Sequence, residues 1–565
     1  KAIFILEGGE RKWYELDSSP EGKLVLESLT SLNRKGQDGY MMDAAAATKR
    51  MLTVGVTANP EFKLTNLIRD TIQAIAVTDM SVDIIKNLFQ GFKATRKGSE
   101  ALADMTISGA LFSLTGSGYT HGEEAQAIRH LTKKAGFQRS SILTSPNIVK
   151  SAWYEWESIG ARAENVNRAA NFVQSRKIDP KTGLPKKDLL TAAHEARDHL
   201  DFTSQGSWSA IRALTKVVPF LNARMQGLDK LARSVRDPAQ KAQFLTVVTT
   251  YSMLSVLLYL RIKDDEDYQE QDQWVRDTYH LFKVPGSDTL YAIPRPFEVG
   301  AIASSAERLV EQMVDDDVHG SLFAERVGHT LSETFSFNPT PQMFKPALEV
   351  AMDKNWFTGA PIEGMSLKNL SPEKRARAWT SSTTIATSEL MNKVSWGKVV
   401  LSPVQMQHLV RGYFGWLGST ALAGTDFLID SVKDSPDKPM MRSSEWPVVK
   451  RFVRANPARS TKYTSLFYER WNAIGQAYAD IGDARKSKDL EEYRRLILEN
   501  KNKIQLRRLY NQQGKRLSGI RALTAQIYAN ESLDPRQKRM ELDRLQRRKN
   551  AITKLIDERT RSKFN

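Results

Sequence analysis

The stretch "FLTVVTTYSMLSVLLYLRIKDDED", Phe244 to Asp267, carries no charge up to Leu260, then passes through Arg261 and Lys263 into a burst of carboxylates. A bilayer-spanning helix needs about 20 mainly apolar residues, and the uncharged run from Ala242 to Leu260 is just long enough. Gln243, Thr246, Thr249, Thr250, Ser252 and Ser255 dilute it, and hydroxyls on one side suit a protein neighbour better than lipid. Basic residues flank it at both ends, so no orientation follows. Three readings stay open: a permanent span, a helix buried inside a ring-shaped assembly, or a segment that passes from one state to the other.

The chain around this helix reads as globular. Its 565 residues exceed what one core usually organises. With 41% hydrophobic and 26% charged residues, it has enough apolar side chains to bury a core. The net charge of +17 calls for a polyanionic neighbour, nucleic acid or an anionic membrane surface. The absence of cysteine excludes disulfides, thiolate metal sites and cysteine nucleophiles. The chain opens at Lys1 without a leader-like segment, which reads as a fragment or a processed product.

Helical periodicity dominates from about Asp43 onward, so the fold class expected is all-α, an elongated multi-helix architecture. It carries a small N-terminal β-hairpin (Ile3, Ile5, Gly8-Gly9, Trp13, Tyr14, Leu16) and a C-terminal helical hairpin. In "TANPEFKLTNLIRDTIQAIA", Asn59 is a candidate N-cap and Pro60 takes the first helical position, with Leu64, Leu67, Ile68, Ile72 and Ile75 on one face. Further helices are expected near 123–137, 150–175, 186–200, 207–236, 242–262, 300–316, 370–395, 402–430 and 444–456. Pro, Gly and Asn punctuation divides the chain into a hairpin and linker (1–42), an N-terminal helical region (43–145), a central helical region (146–435) and a basic C-terminal helical region (436–565).

Reaction chemistry is hard to find. "HEARDH" places His194 and His199 five residues apart, about 140° around a helix rather than on one face, so it reads as polar surface and not as a zinc pair. Gly116, Gly118 and Gly122 lack a preceding strand and a Lys-Ser/Thr pair, so they read as a linker. Asp315 to Asp317 lack the alternating spacing of a calcium loop. No nucleophile elbow appears, and carboxylate pairs cannot be assigned without geometry. The expectation is a protein that is not an enzyme and needs no cofactor or metal.

Residues 481–565 hold 23 Lys and Arg against 11 Asp and Glu, about +12 of the net charge. Arg507, Arg508, Lys515, Arg516, Arg547, Arg548 and Lys549 are candidate contacts to double-stranded DNA or another polyanion. A solvated, salt-bridge-laced helix pair explains the same residues equally well.

Several segments in fixed order, "TANPEFKLTNLIRDT", "LDFTSQGSWSAIRALTKVVPFLNARMQGLDKLAR", "AIPRPFEVGAI", "FNPTPQMFKPALEVAMDKNWFTGAPIE" and "LSPVQMQHLVRGYFGWLG", resemble the large polyvalent protein-associated helical region of short-tailed phage internal virion, or DNA-ejection, proteins. The matching residues include Asn59, Pro60, Phe62, Asn66, Arg69 and Asp70; Pro219, Phe220, Asn222, Gln226 and Gly227; and Pro294, Pro296, Phe297 and Glu298. Read physically they are architecture: the prolines stiffen an extended segment from 294 to 297, and Glu298 opens a helix.

The resemblance implies a homo-oligomer that joins other phage ejection or portal proteins inside the virion, then lines a conduit for viral DNA through the host periplasm, with the host inner membrane as a further partner. A soluble nucleic-acid-binding accessory protein delivered with phage DNA is the alternative.

Overall fold

The computed structural model describes the backbone of residues 2–7 and 10–15, and residues 39–110, 162–198, 208–314, 323–330, 339–356, 361–396, 401–432 and 438–564, apart from single positions within these ranges. The glycine segment at 116–122, His199 and the run Asp315 to Asp317 lie outside the described residues, as does the helix expected near 123–137.

Local signals act where they were read. Asn59 accepts a hydrogen bond from the Glu61 amide (2.9 Å) and Pro60 fills the first turn, so the helix starts at the residue its sequence names. The N-terminal hairpin pairs Ala2–Glu7 with Glu10–Glu15, strands β1 and β2. The labelled helices are α1 (Tyr40–Thr57), α2 (Pro60–Val77), α3 (Leu221–Arg236), α4 (Pro238–Ile262), α5 (Glu298–Val314), α6 (Lys345–Ala351), α7 (Pro403–Val432), α8 (Val449–Phe452), α9 (Lys462–Lys486), α10 (Lys501–Ala529) and α11 (Pro535–Thr560).

Three differences from the sequence reading have physical causes. The helix expected over 207–236 breaks at Pro219, because Phe220 takes a left-handed φ of 59° that no helix interior accepts. Among its described residues the segment 444–456 holds the short α8 and one 3-10 turn rather than a continuous helix. A second antiparallel hairpin, β3 (Tyr279–Lys283) and β4 (Leu290–Pro294), stands where almost no strand signal was read. Its strands are five residues long, and their inward Tyr279, Leu281, Leu290 and Ala292 are buried with Tyr259 and Ile262 of α4.

The core runs through several packed clusters. α4 and α5 lie side by side over the second hairpin, and α2 closes them with Ala76 and Val77 against Phe244, Val248 and Val299. α1 packs on α7, far away in sequence, at a glycine contact. A Cβ at Gly55 would fall 1.8 Å from the Phe414 carbonyl oxygen, at the point where Gly415 (φ 58°) kinks α7.

Gly55→Ala should therefore push the two helices apart and cost about 1–3 kcal/mol in chemical denaturation. Gly475→Ala, in open space on α9, should instead stabilise by about 0.5–1 kcal/mol.

The last two helices form the expected hairpin, with α11 opened by a capping box at Asp534 and Gln537. α9 packs along both and completes a three-helix bundle, whose core is Phe467, Ile474, Leu506, Tyr510, Leu517, Leu545 and Ile556.

Candidate functional site at the junction of the motif segments

The residues singled out in three separate segments converge beneath the apolar helix. Arg69 of α2 donates Nε to the Arg295 carbonyl (2.9 Å) and stacks its guanidinium 4.7 Å from the Phe297 ring centroid. Glu298, first residue of α5, sits against Gly227 of α3, where a Cβ would lie 2.3 Å from Oε1. A side chain at Gly227 would have to displace the Glu298 carboxylate. Phe62 and Phe220 pack with ring centroids 6.2 Å apart, and Gln226 donates to Asn222 one turn back (3.3 Å). Pro294 and Pro296 are buried, and Asn66 keeps a buried Oδ1 without a hydrogen-bond partner.

Asp70 shares this junction. Burial pushes its carboxyl up to about 7, helped by Glu298 and opposed by Arg168 and Arg69. Burial also raises Glu298 above the usual carboxylate range, with a hydrogen bond from its own backbone amide and the charge of Arg224 pulling the other way.

One layer deeper lies a charge network that the sequence reading missed. Glu307 accepts from Arg295 (2.7 and 2.8 Å) and from Arg308 (3.2 Å). Glu311 holds Arg276 (2.6 Å), Arg308 (2.6 Å) and Arg326 (3.0 Å). Asp277 accepts from Ser304 (3.0 Å) and Thr330 (3.2 Å) and lies 3.6 Å from Arg308 Nε. Burial alone would raise Glu311, but Arg276, Arg308 and Arg326 outweigh it and hold the carboxyl down to about 2.

The opening helix feeds this network from above. Ser255 hydrogen-bonds Glu307 and lies 3.4 Å from His280 Nδ1, while His280 Nε2 meets the Tyr251 hydroxyl at 2.6 Å. Burial, reinforced by Arg295, drives the His280 pKa well below its usual value, so the ring is neutral at pH 7. Ser255 and Glu307 are fully enclosed, so the chain of hydrogen bonds ties hairpin to helices and offers no nucleophile to solvent. Among the described residues no group of three or more His, Asp or Glu converges as a metal site requires.

α4 therefore turns part of its polarity inward. Gln243 donates to the Thr78 carbonyl (2.6 Å) at the end of α2, and Ser255 is buried, while Leu245, Met253, Leu254, Leu257 and Leu260 are exposed. Within the 23-residue span Gln240–Ile262, an 18-residue window reaches a mean hydropathy of 1.5 and is only 22% buried. A shallow groove of about 410 Å³ between α4 and α5, lined by Val248, Met253, Leu257 and Ile302, continues the apolar face.

The acidic burst after the helix holds the tail. Lys283 bridges Asp265 (2.8 Å) and Asp267 (2.7 Å), Glu266 pairs with Lys554, the Lys462 amide donates to the Glu270 carbonyl (2.9 Å), and Ser465 donates to Asp272 (3.2 Å).

Of the candidate polyanion contacts, Arg507, Arg508, Lys515, Arg516, Arg547 and Arg548 are exposed on the bundle. Arg507 lies 3.8 Å over the Tyr478 ring and Arg516 donates to Gln513 (3.4 Å). Lys549 is half-buried and directed at the Arg459 carbonyl (3.4 Å), with its pKa lowered by burial and then by Arg521. The seven are divided between α10 and α11.

Residues 265–449 match the family described as Large polyvalent protein associated domain 38, which starts in the acidic burst and ends at the first residue of α8. The quoted segments at 57–71 and 200–233 precede that match. The match supports a phage-associated protein. No curated protein and no solved structure matches the chain.

Proposed function

We propose that this chain is a structural protein of the phage particle that oligomerises into part of a conduit carrying viral DNA across the host envelope. The observation that carries the reading is the bare apolar face of α4. Five large apolar side chains stand in solvent on a helix of about 34 Å, long enough for a hydrocarbon core of about 30 Å. Leu309 and Met313 of α5 extend the face, and apolar surface of this extent marks an interaction site.

In this reading the chain works as architecture and not by catalysis. Its partners are further copies of itself, other ejection or portal proteins, double-stranded DNA and the host inner membrane. It resides in the virion interior first and in the periplasm and inner membrane after ejection. The basic bundle favours a second reading, a soluble nucleic-acid accessory protein.

Electron microscopy and sedimentation of the full chain, alone and with anionic liposomes, separate the two. Rings that associate with liposomes, and that Leu254→Asp together with Leu257→Asp abolishes, are the expected result. A monomer at every concentration, with tight salt-dependent duplex binding and no liposome association, would sink the conduit reading in favour of the accessory one.

A further inference from the structure

Four cations gather on the outer side of the second hairpin with little to balance them. Arg451 of α8 donates Nη1 to the Tyr279 hydroxyl (3.5 Å), and Arg454 lies 4.3 Å over the Tyr279 ring. Arg69 interacts electrostatically with both Tyr279 and Arg451. Lys450 completes the group and, with Arg451, reaches Glu61 (2.7 and 3.1 Å). The carboxylates here are Glu61 and, beside Arg69, the Asp70 of the motif junction. In the deeper network, by contrast, Arg276, Arg295, Arg308 and Arg326 meet Asp277, Glu307 and Glu311 in close pairs.

Arg454 is the sharpest imbalance. Its Nε and Nη2 are buried without a hydrogen-bond partner, while its amide is fixed to the Leu290 carbonyl (2.9 Å). Arg454 as a whole is half-buried, but enclosed guanidinium donors left unused are costly unless an anion joins them. Tyr279 reports the same field: burial would raise its pKa, yet Arg451, Arg454 and Arg69 together pull it below the usual tyrosine value. The rim is open, because the side chains of Lys450 and Arg451 are 49% and 45% exposed.

We propose that this basic cluster, the half-buried Arg454 and Arg69 with the more exposed Lys450 and Arg451, binds a phosphate group. Guanidinium forks match phosphate oxygens in pairs, and an ammonium adds a point charge. The phosphate comes either as free phosphate or as a phosphodiester of nucleic acid. The inference does not depend on the conduit reading.

The test uses the full chain, with inorganic phosphate followed by calorimetry and a 20-base-pair duplex followed by anisotropy. Wild-type protein should bind inorganic phosphate at one site, and Arg454→Gln should weaken it at least tenfold. Lys450→Gln, at a half-exposed side chain, should weaken it severalfold with circular dichroism unchanged, and Lys486→Gln on the bundle should leave it unchanged. If Arg454→Gln and Lys450→Gln also weaken the duplex, and phosphate competes with it, the site takes a phosphodiester. Loss of phosphate binding with unchanged duplex binding assigns it to free phosphate. No phosphate binding by the wild type, or equal affinity in both variants, overturns the proposal whatever the oligomeric state.

Discussion

Glu311→Gln should cost about 3–5 kcal/mol of stability, because it leaves Arg276, Arg308 and Arg326 around a neutral amide in a site too buried for bulk solvent to screen them. Glu311 is 4% exposed and Arg308 1% exposed, so the loss is not screened. Glu499→Gln, on an exposed helix surface, should change stability by no more than about 0.5 kcal/mol. Urea denaturation of the two variants at pH 7 makes the comparison.

The pH dependence follows from the sign of the Glu311 shift. Its folded-state pKa of about 2 lies below the ordinary 4.5. The stabilisation is therefore complete above about 4.5 and is lost as pH falls toward about 2. Wild-type stability should drop across that window, and the Glu311→Gln variant should drop less. Parallel profiles would mean that Glu311 does not anchor the network.

The parts of this fold that were legible in the sequence rest on local chemistry. Asn59 and Pro60 state a helix start within two residues, Gly8-Gly9 states a turn, and the uncharged run from Ala242 states a long helix. The motif residues were also legible, but only as a set. Nothing local says that Arg69 reaches the Arg295 carbonyl, 226 positions away, or that Gly227 makes room for Glu298.

The charge network was unreadable for a related reason. In "SSAERLVEQMV" Glu307, Arg308 and Glu311 look like the solvated side of an amphipathic helix. Their burial becomes evident only when Arg276 and Arg295 arrive from other elements. The opening segment shows the reverse error of scale. Its hydroxyls were read as a sign of a protein neighbour, and Ser255 does face protein, yet Thr246, Thr249 and Thr250 stand exposed beside the leucines. Composition measured how apolar the helix is, but not which side its core would take.

Phe467→Ala should unfold the C-terminal bundle at a cost of about 3–5 kcal/mol. Phe467 is 2% exposed, stacks on Tyr510 with centroids 5.1 Å apart, and meets Tyr468 and Trp471 at 5.4 and 5.7 Å. Gly514 lets α10 approach closely enough for Trp471 to lie on its backbone, since a Cβ there would be 2.2 Å from the indole. No small side chain can refill a gap bounded by three rings. The bundle joins the body through polar contacts, among them Lys554 with Glu266, Arg442 with Asp543 and Arg539 with Glu445. Polar seams let one unit open while the other stays folded. Amide exchange in Phe467→Ala should accordingly accelerate over 462–564 and stay slow in α5, around Glu307 and Glu311. Equal acceleration in α5 would instead make bundle and body one cooperative unit, coupled through the contacts of the acidic burst after the apolar helix.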